Sequence, residues 1–301
     1  MALLDQIKYQ YRTGGVHIKL IFINISIYLF FTTIWILCDL MLWEESKDWL
    51  HNQFAFYSEP TEFIKHIWGV FTYMFVHALR PVVGFWHLLF NMAFLYFSGR
   101  IFEDLLGSKK LLSIYIIGGV FGALFQITSV NIFPKFFLVY EENVKPLVGA
   151  SASVAAIITA IGLYSPNYEV YLFRTLKVKL IYIAIFFVLF EYIKLSNIDG
   201  VSHFAHFGGA IWGFVFVNNI KKGKDISNWF ENILTKISGL TRKKKIKIVY
   251  KKKKAEKKSS APNSKSRQEK VDDILDKIKL SGYESLTKEE KDYLFDASKH
   301  I

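Results

Sequence analysis

LIFINISIYLFFTTIWILC, residues 20–38, runs for 19 residues without a charged side chain, and LLSIYIIGGVFGALFQITSVNIFP, residues 111–134, does so for 24. A helix of about 20 residues crosses the ~30 Å hydrocarbon core of a bilayer, so both stretches predict transmembrane helices. Four further apolar segments, at about 85–99, 146–164, 178–195 and 203–220, are shorter or interrupted, the third of them by Glu191 near its end. The fold class expected is an all-α polytopic membrane protein with six spans. The first span does not read as a cleaved signal peptide, because its apolar core is too long and no small-residue cleavage site follows it.

The remaining composition agrees. Of 301 residues, 52% are hydrophobic and 17% aromatic, with a single Cys, which excludes a disordered chain, a disulfide scaffold and a zinc-cysteine module. The net charge of +12 is unevenly placed: residues 1–220 hold 15 Lys and Arg against 14 Asp and Glu, and residues 221–301 hold 23 against 12. The chain therefore divides into an N-terminal segment (1–17), a membrane domain (18–220), a basic tail and linker (221–270) and a small helical module (271–301). In the module, Ile274, Leu275 and Ile278, then Leu294 and Phe295, suit two short docking helices around Ser281-Gly282.

Lys and Arg collect on cytoplasmic flanks. With the N-terminus inside, those flanks hold nine basic residues and the outer loops six, a weak bias that the tail decides: 11 of the 17 residues from 242 to 258 are Lys or Arg. Both termini are thus expected in the cytoplasm, with the protein in the plasma (inner) membrane. The basic run suits anionic lipid, each charge contributing on the order of 1 kcal/mol near the surface. Nucleic acid is not an expected partner, since interleaved aromatics and a folded reader are lacking. The first outer loop, residues 43–71, mixes aromatics with charges and reads as lying in the interface.

Ionisable and nucleophilic side chains inside spans are costly and mark function. His87 and Asn91 fall four residues apart, on one face of the second span. Ser151 opens the fourth in Val148-Gly149-Ala150-Ser151, and His206 lies early in the sixth, in Ala205-His206-Phe207-Gly208-Gly209. With the topology above, all three spans begin at the outer face, so these residues share one depth. Ser151, Ala155 and Gly162 are expected on one face of span four, and His206, Gly209 and Gly213 on one face of span six. Small residues let membrane helices approach closely, bringing a hydroxyl toward an imidazole, as a serine nucleophile and its base require. Gly-x-Ser alone is common in membrane helices, and Gly-x-x-x-Gly alone is a packing motif. Their conjunction with two His and an Asn points to chemistry.

Taken together, these residues resemble the rhomboid family of intramembrane serine proteases. The pattern His-x-x-x-Asn (His87, Asn91), Gly-x-Ser (Gly149, Ser151) and Ala-His-x-x-Gly-x-x-x-Gly (Ala205, His206, Gly209, Gly213) appears in order, and Glu103 to Gly107 matches the family's turn after the second span. The resemblance covers roughly residues 15–220. It implies a six-helix bundle, a Ser151–His206 dyad without an acid member, no carboxylate being placed near His206, and an oxyanion site of His87, Asn91 and the Ser151 backbone N–H beside Gly149. It implies no cofactor and no metal. The implied partners are single-span or polytopic membrane proteins, cut near the outer face. Three positions depart from the pattern: Ala152 replaces Gly, Ala155 replaces an aromatic that stacks on the His, a support expected instead from Phe204 or Phe207, and Trp68-Gly69 replaces Trp-Arg, which leaves the anchoring of the outer loop open. A rival reading is a catalytically silent relative that binds membrane clients, but such relatives typically lack the Ser or the His. A small-solute transporter would call for internal repeats, which the sequence does not display.

Overall fold

The computed structural model describes residues 3–79, 81–136, 146–172, 175–197, 202–241 and 267–298; the basic run 242–258 and the linker 259–266 lie outside the described residues. The chain forms two compact units, Met1–Lys243 and Lys244–Ile301.

In the first unit, α1 (Leu3–Thr13) leads into α2 (Val16–Leu40), and three short helices follow in the outer loop, α3 (Trp49–Asn52), α4 (Pro60–Lys65) and α5 (Gly69–Thr72). Then come α6 (Pro81–Leu106), α7 (Ser108–Ile132) and α8 (Ser151–Tyr164), a hairpin of β1 (Glu169–Leu172) and β2 (Leu176–Lys179), and α9 (Leu180–Lys194), α10 (His203–Lys221) and α11 (Asn228–Thr241). Val16–Leu40, Val82–Leu106 and Ser108–Ile132 are long and apolar enough to cross a membrane.

The architecture is mostly helical, and the antiparallel hairpin, with Glu169 opposite Lys179 and Leu172 opposite Leu176, is an addition to the all-α expectation. Its Lys177–Glu169 pair at 2.5 Å and its short four-residue strands sit between two apolar helices that dominate the sequence pattern. A second addition is α11, inside the segment expected as tail; Ile226 and Phe230 pack on the main core, and Lys110 meets Asp225 at 2.6 Å.

The segment 146–164 is helical only from Ser151 onward. Leu147 exchanges both backbone hydrogen bonds with Phe56, at 2.8 and 3.0 Å, and Gly149 has φ +124°, so neither position can belong to a helix. The resulting α8 has 14 residues, about 21 Å of rise.

Close packing of α7, α8 and α10 rests on small residues. A Cβ at Gly118 would lie 2.5 Å from that of Ala156, one at Gly122 would lie 2.6 Å from that of Ala152, and Cβ atoms at Gly209 and Gly213 would strike the carbonyl oxygens of Ala152 and Ala156. The seam of α8 toward α10 thus uses Ala152 and Ala156, one residue round from the expected Ser151 and Ala155. Gly162 turns instead to α9, where Leu180 and Ala184 lie against it. The shift leaves Ser151 at the end of the seam and outside its packing. It also explains how Ala152 is tolerated: the methyl fits under Gly122.

The outer loop is more than an interfacial segment. Trp49, Ile64, Ile67 and Phe71 face outward, but Phe56 within the loop and Tyr73 and Met74 just after it are fully buried. Tyr73 Oη donates to Gly119 O at 2.7 Å, and Tyr115 Oη donates to Met74 O at 2.8 Å. Trp68-Gly69 anchors the loop by its own means: Trp68 Nε1 donates to Gln53 O at 2.6 Å, and Gly69 leaves room for the Ala55 carbonyl, which a side chain would strike.

The second unit contains α12 (Arg267–Ser281) and α13 (Lys288–Ser298). Gly282, at φ +77°, ends α12, and Thr287 with Glu290 forms a reciprocal N-terminal cap, Thr287 N–H donating to Glu290 Oε2 at 2.8 Å and Glu290 N–H to Thr287 Oγ1 at 3.3 Å. Of the expected apolar positions, Ile274 is buried, whereas Leu275 and Phe295 face outward.

Candidate active site

Ser151 is the first residue of α8, directly after the turn that Gly149 makes. Two constraints fix that turn. The Gly149 N–H donates to Tyr73 O at 3.0 Å, and a Cβ at Gly149 would come within 2.7 Å of both Cε1 and Nε2 of His87. A residue with a side chain would be strained by the positive φ and would displace the imidazole. The Gly-x-Ser spacing therefore brings the His87 ring up against the turn that carries the serine.

Ser151 Oγ lies 2.6 Å from His206 Nε2. Ser151 starts its helix, so its N–H belongs to the first turn, whose N–H groups have no partner within the helix and where the helix dipole favours negative charge. Asn91 Nδ2 donates to His87 O one turn back at 2.8 Å, which uses one of its two N–H groups.

The other side of His206 differs from the expectation. Glu191 of α9, 5% exposed, has Oε2 at 3.1 Å from His206 Nδ1 and at 2.7 Å from His203 Nδ1. The His203 contact is a well-formed hydrogen bond. The His206 contact is off the axis of the ring N–H and does not make one. The expectation that no carboxylate lies near His206 is therefore incorrect: Glu191 is 15 residues away along the chain and on another helix, where sequence proximity carries no information. In the sequence it appears only as an interruption of an apolar segment, although a carboxylate in a span is itself a signal.

Nor do Phe204 and Phe207 support His206. Phe204 packs on Phe125, Phe133 and Phe136, and Phe207 on Phe125 and Tyr192. The ring beside His206 is that of His203, edge-on with centroids 6.2 Å apart. His77 is a further residue that sequence reasoning passes over. It is fully buried, its ring lies 5.3 Å from that of His87, and its carbonyl faces His51 Nε2 at 3.0 Å. Burial, with His87 adding to it, pushes the His77 pKa down to about 3, so a neutral ring backs His87.

With this geometry in place, comparison with known proteins gives a family. A model of the Rhomboid domain matches residues 65–220, just over half of the chain. The chain belongs to the rhomboid family. Members of this family are generally intramembrane serine proteases that act on membrane-protein substrates within the bilayer, and this chain is an integral membrane protein. A second model, a family of unknown function (DUF6576), matches residues 262–300. No curated protein matches the chain.

Within the rhomboid domain, Glu191, His203 and His206 bring one donor atom each within 4.8 Å of one another, a spacing that would suit a metal ion. The contacts themselves describe a carboxylate already facing two imidazole nitrogens, with the remaining nitrogen of His206 turned to Ser151.

Proposed function

We propose that this rhomboid is an active serine endopeptidase that cleaves transmembrane substrates near the outer membrane face. The observation that carries the reading is the 2.6 Å approach of Ser151 Oγ to His206 Nε2. Ser151 Oγ attacks the scissile carbonyl carbon while its proton passes to His206 Nε2. The oxyanion is met by the Ser151 N–H, by His87 and by the second N–H of Asn91. Collapse of the tetrahedral species returns the proton from His206 to the leaving amine, and water then hydrolyses the acyl-enzyme with His206 again as base. A silent client-binding role is less well supported, because both members of the dyad are present and within hydrogen-bond reach.

In this reading, α2, α6, α7, α8, α9 and α10 are the six spans of a membrane domain at 18–220. Both termini are cytoplasmic in the plasma membrane, residues 221–270 carry the lipid-facing basic run, and 271–301 form the C-terminal module. In the same reading, the extended residues before Ser151 set the start of α8 below the outer surface, where a locally unwound substrate helix would reach the nucleophile.

The deciding experiment is labelling with a serine-directed fluorophosphonate probe in membranes. The full chain is expected to label and Ser151→Ala to lose the signal; labelling that survives the change would exclude Ser151 as the nucleophile. A chain ending after Lys243, which keeps the whole first unit, is expected to label like the full chain.

A further inference from the structure

Glu191 is the only ionisable side chain among the buried positions of α9, whose other two are Leu180 and Ala184. The spacings of four and seven residues place all three on one helix face, so the face that α9 turns inward carries this carboxylate toward α10. A carboxylate in such surroundings is costly unless charge or hydrogen bonds compensate it. Here its compensation is two imidazoles on successive turns of α10, both facing the same oxygen, Oε2.

We propose that Glu191, held by His203, is a positioning residue for His206. It keeps the proton on Nδ1, so that Nε2 is the nitrogen offered to Ser151, and it faces the imidazolium that forms when Ser151 gives up its proton. The inference rests on the Ser151–His206 reading above and deepens it.

Three observations favour this role. First, His206 Nδ1 points into a buried place where Glu191 is the acceptor within reach. The contact is misaligned in the resting protein, and catalytic hydrogen bonds are often loose before substrate binds. Second, the short His203 bond, at 2.7 Å, holds the carboxylate independently of His206, so small motions of the His206 ring align it without moving the acid. Third, Ala155 is a small, fully buried residue and brings no ring to His206, whose neighbouring ring is that of His203. Orientation that stacking would provide is left to the Glu191–His203 pair. In the acylation step the Ser151 Oγ–carbon bond forms, the carbonyl electron pair moves to oxygen, and the proton moves from Oγ to Nε2. Glu191 takes up no proton and remains the anion beside the imidazolium.

The test compares the full chain with Glu191→Gln, Glu191→Asp and His203→Phe, using cleavage of a membrane-embedded reporter substrate and histidine 15N NMR. Glu191→Gln keeps the volume but lets an amide face Nδ1, and is expected to lower kcat by about 10²- to 10⁴-fold while KM stays within about twofold, since Glu191 lies behind His206, on the side away from Ser151. The His206 spectrum is expected to show Nδ1 protonated in the full chain and to lose that preference in the variant. Glu191→Asp, which keeps the charge on a shorter arm and covers the case in which Gln does not fold, is expected to recover part of kcat. His203→Phe leaves Glu191 to His206 alone and is expected to cost less than Glu191→Gln. Native kcat with an unchanged tautomer in Glu191→Gln would overturn the proposal, as would a larger loss at His203 than at Glu191. Activity that a chelator removes and a divalent ion restores would also overturn it, because Glu191 would then be a metal ligand. Ser151→Ala and His206→Ala run alongside: if they stay active the dyad reading fails, and if they are dead while Glu191→Gln is native only this inference fails.

Discussion

α8 and α9 are nearly equal in length, at 14 and 15 residues, and both are strongly apolar, yet eleven residues of α8 are buried in the protein and only three of α9 are. Hydrophobicity does not separate them, because a lipid-facing helix and a bundle-centre helix are equally apolar. Side-chain size does. The buried run of α8 is built largely from Ala, Ser, Thr and Gly, against which neighbouring backbones close to contact distance. Much of α9 is Phe, Leu, Ile and Tyr pointing outward, with one inward stripe. The lesson is that in a membrane protein small residues mark the inside, and a lone charge on a bulky helix marks where that helix meets polar partners, as Glu191 meets His203 and His206.

The contrast can be broken most forcefully at the Ser151 end of α8. If Ser151 on α8 and His206 on α10 act as one unit, His206→Ala should lower kcat on the order of 10⁶-fold, and the double change with Ser151→Ala should cost little more than either alone. Additive losses in a single-turnover assay would mean that the two side chains work separately. Next in size is the seam. Gly209→Val would drive a side chain into the Ala152 backbone, and overpacking of this kind typically costs about 1–3 kcal/mol. Thermal unfolding in detergent should show it, and because Ala152 directly follows Ser151, turnover should fall as well. Smallest of all is the outer side of α9: Ile193 is 74% exposed, and Ile193→Ala should shift stability by no more than about 0.5 kcal/mol and leave turnover unchanged. A large effect there would show that α9 is covered by protein on its outer side.

The same contrast explains what could be read from the sequence. Charge-free runs announce α2 and α7, because their length alone distinguishes them. The motif residues announce the site, since His87, Gly149, Ser151 and His206 fall in positions where polar groups or glycine are costly without a purpose. Hidden from the sequence is whatever depends on rotation of one helix against another. Glu191 meets His203 and His206 across a helix pair, and the seam sits one residue round from where a helical face drawn through Ser151 would put it. The folding of the outer loop was also illegible. Its aromatics alternate with charges in a way that suits an interface, and only the buried Phe56, Tyr73 and Met74 distinguish the side that enters the bundle.

The backbone pairing of Phe56 with Leu147, reinforced by Gly149 donating to Tyr73, has an engineering consequence. Surface loops usually accept insertions and exchange, but here the outer loop, the residues to Tyr73 and residues 146–150 form one cassette that ends at Ser151. A graft that replaces residues 43–73 alone would disturb the partners of both Leu147 and Gly149 and let Ser151 drift, whereas moving both pieces together carries the depth of the serine along with the loop.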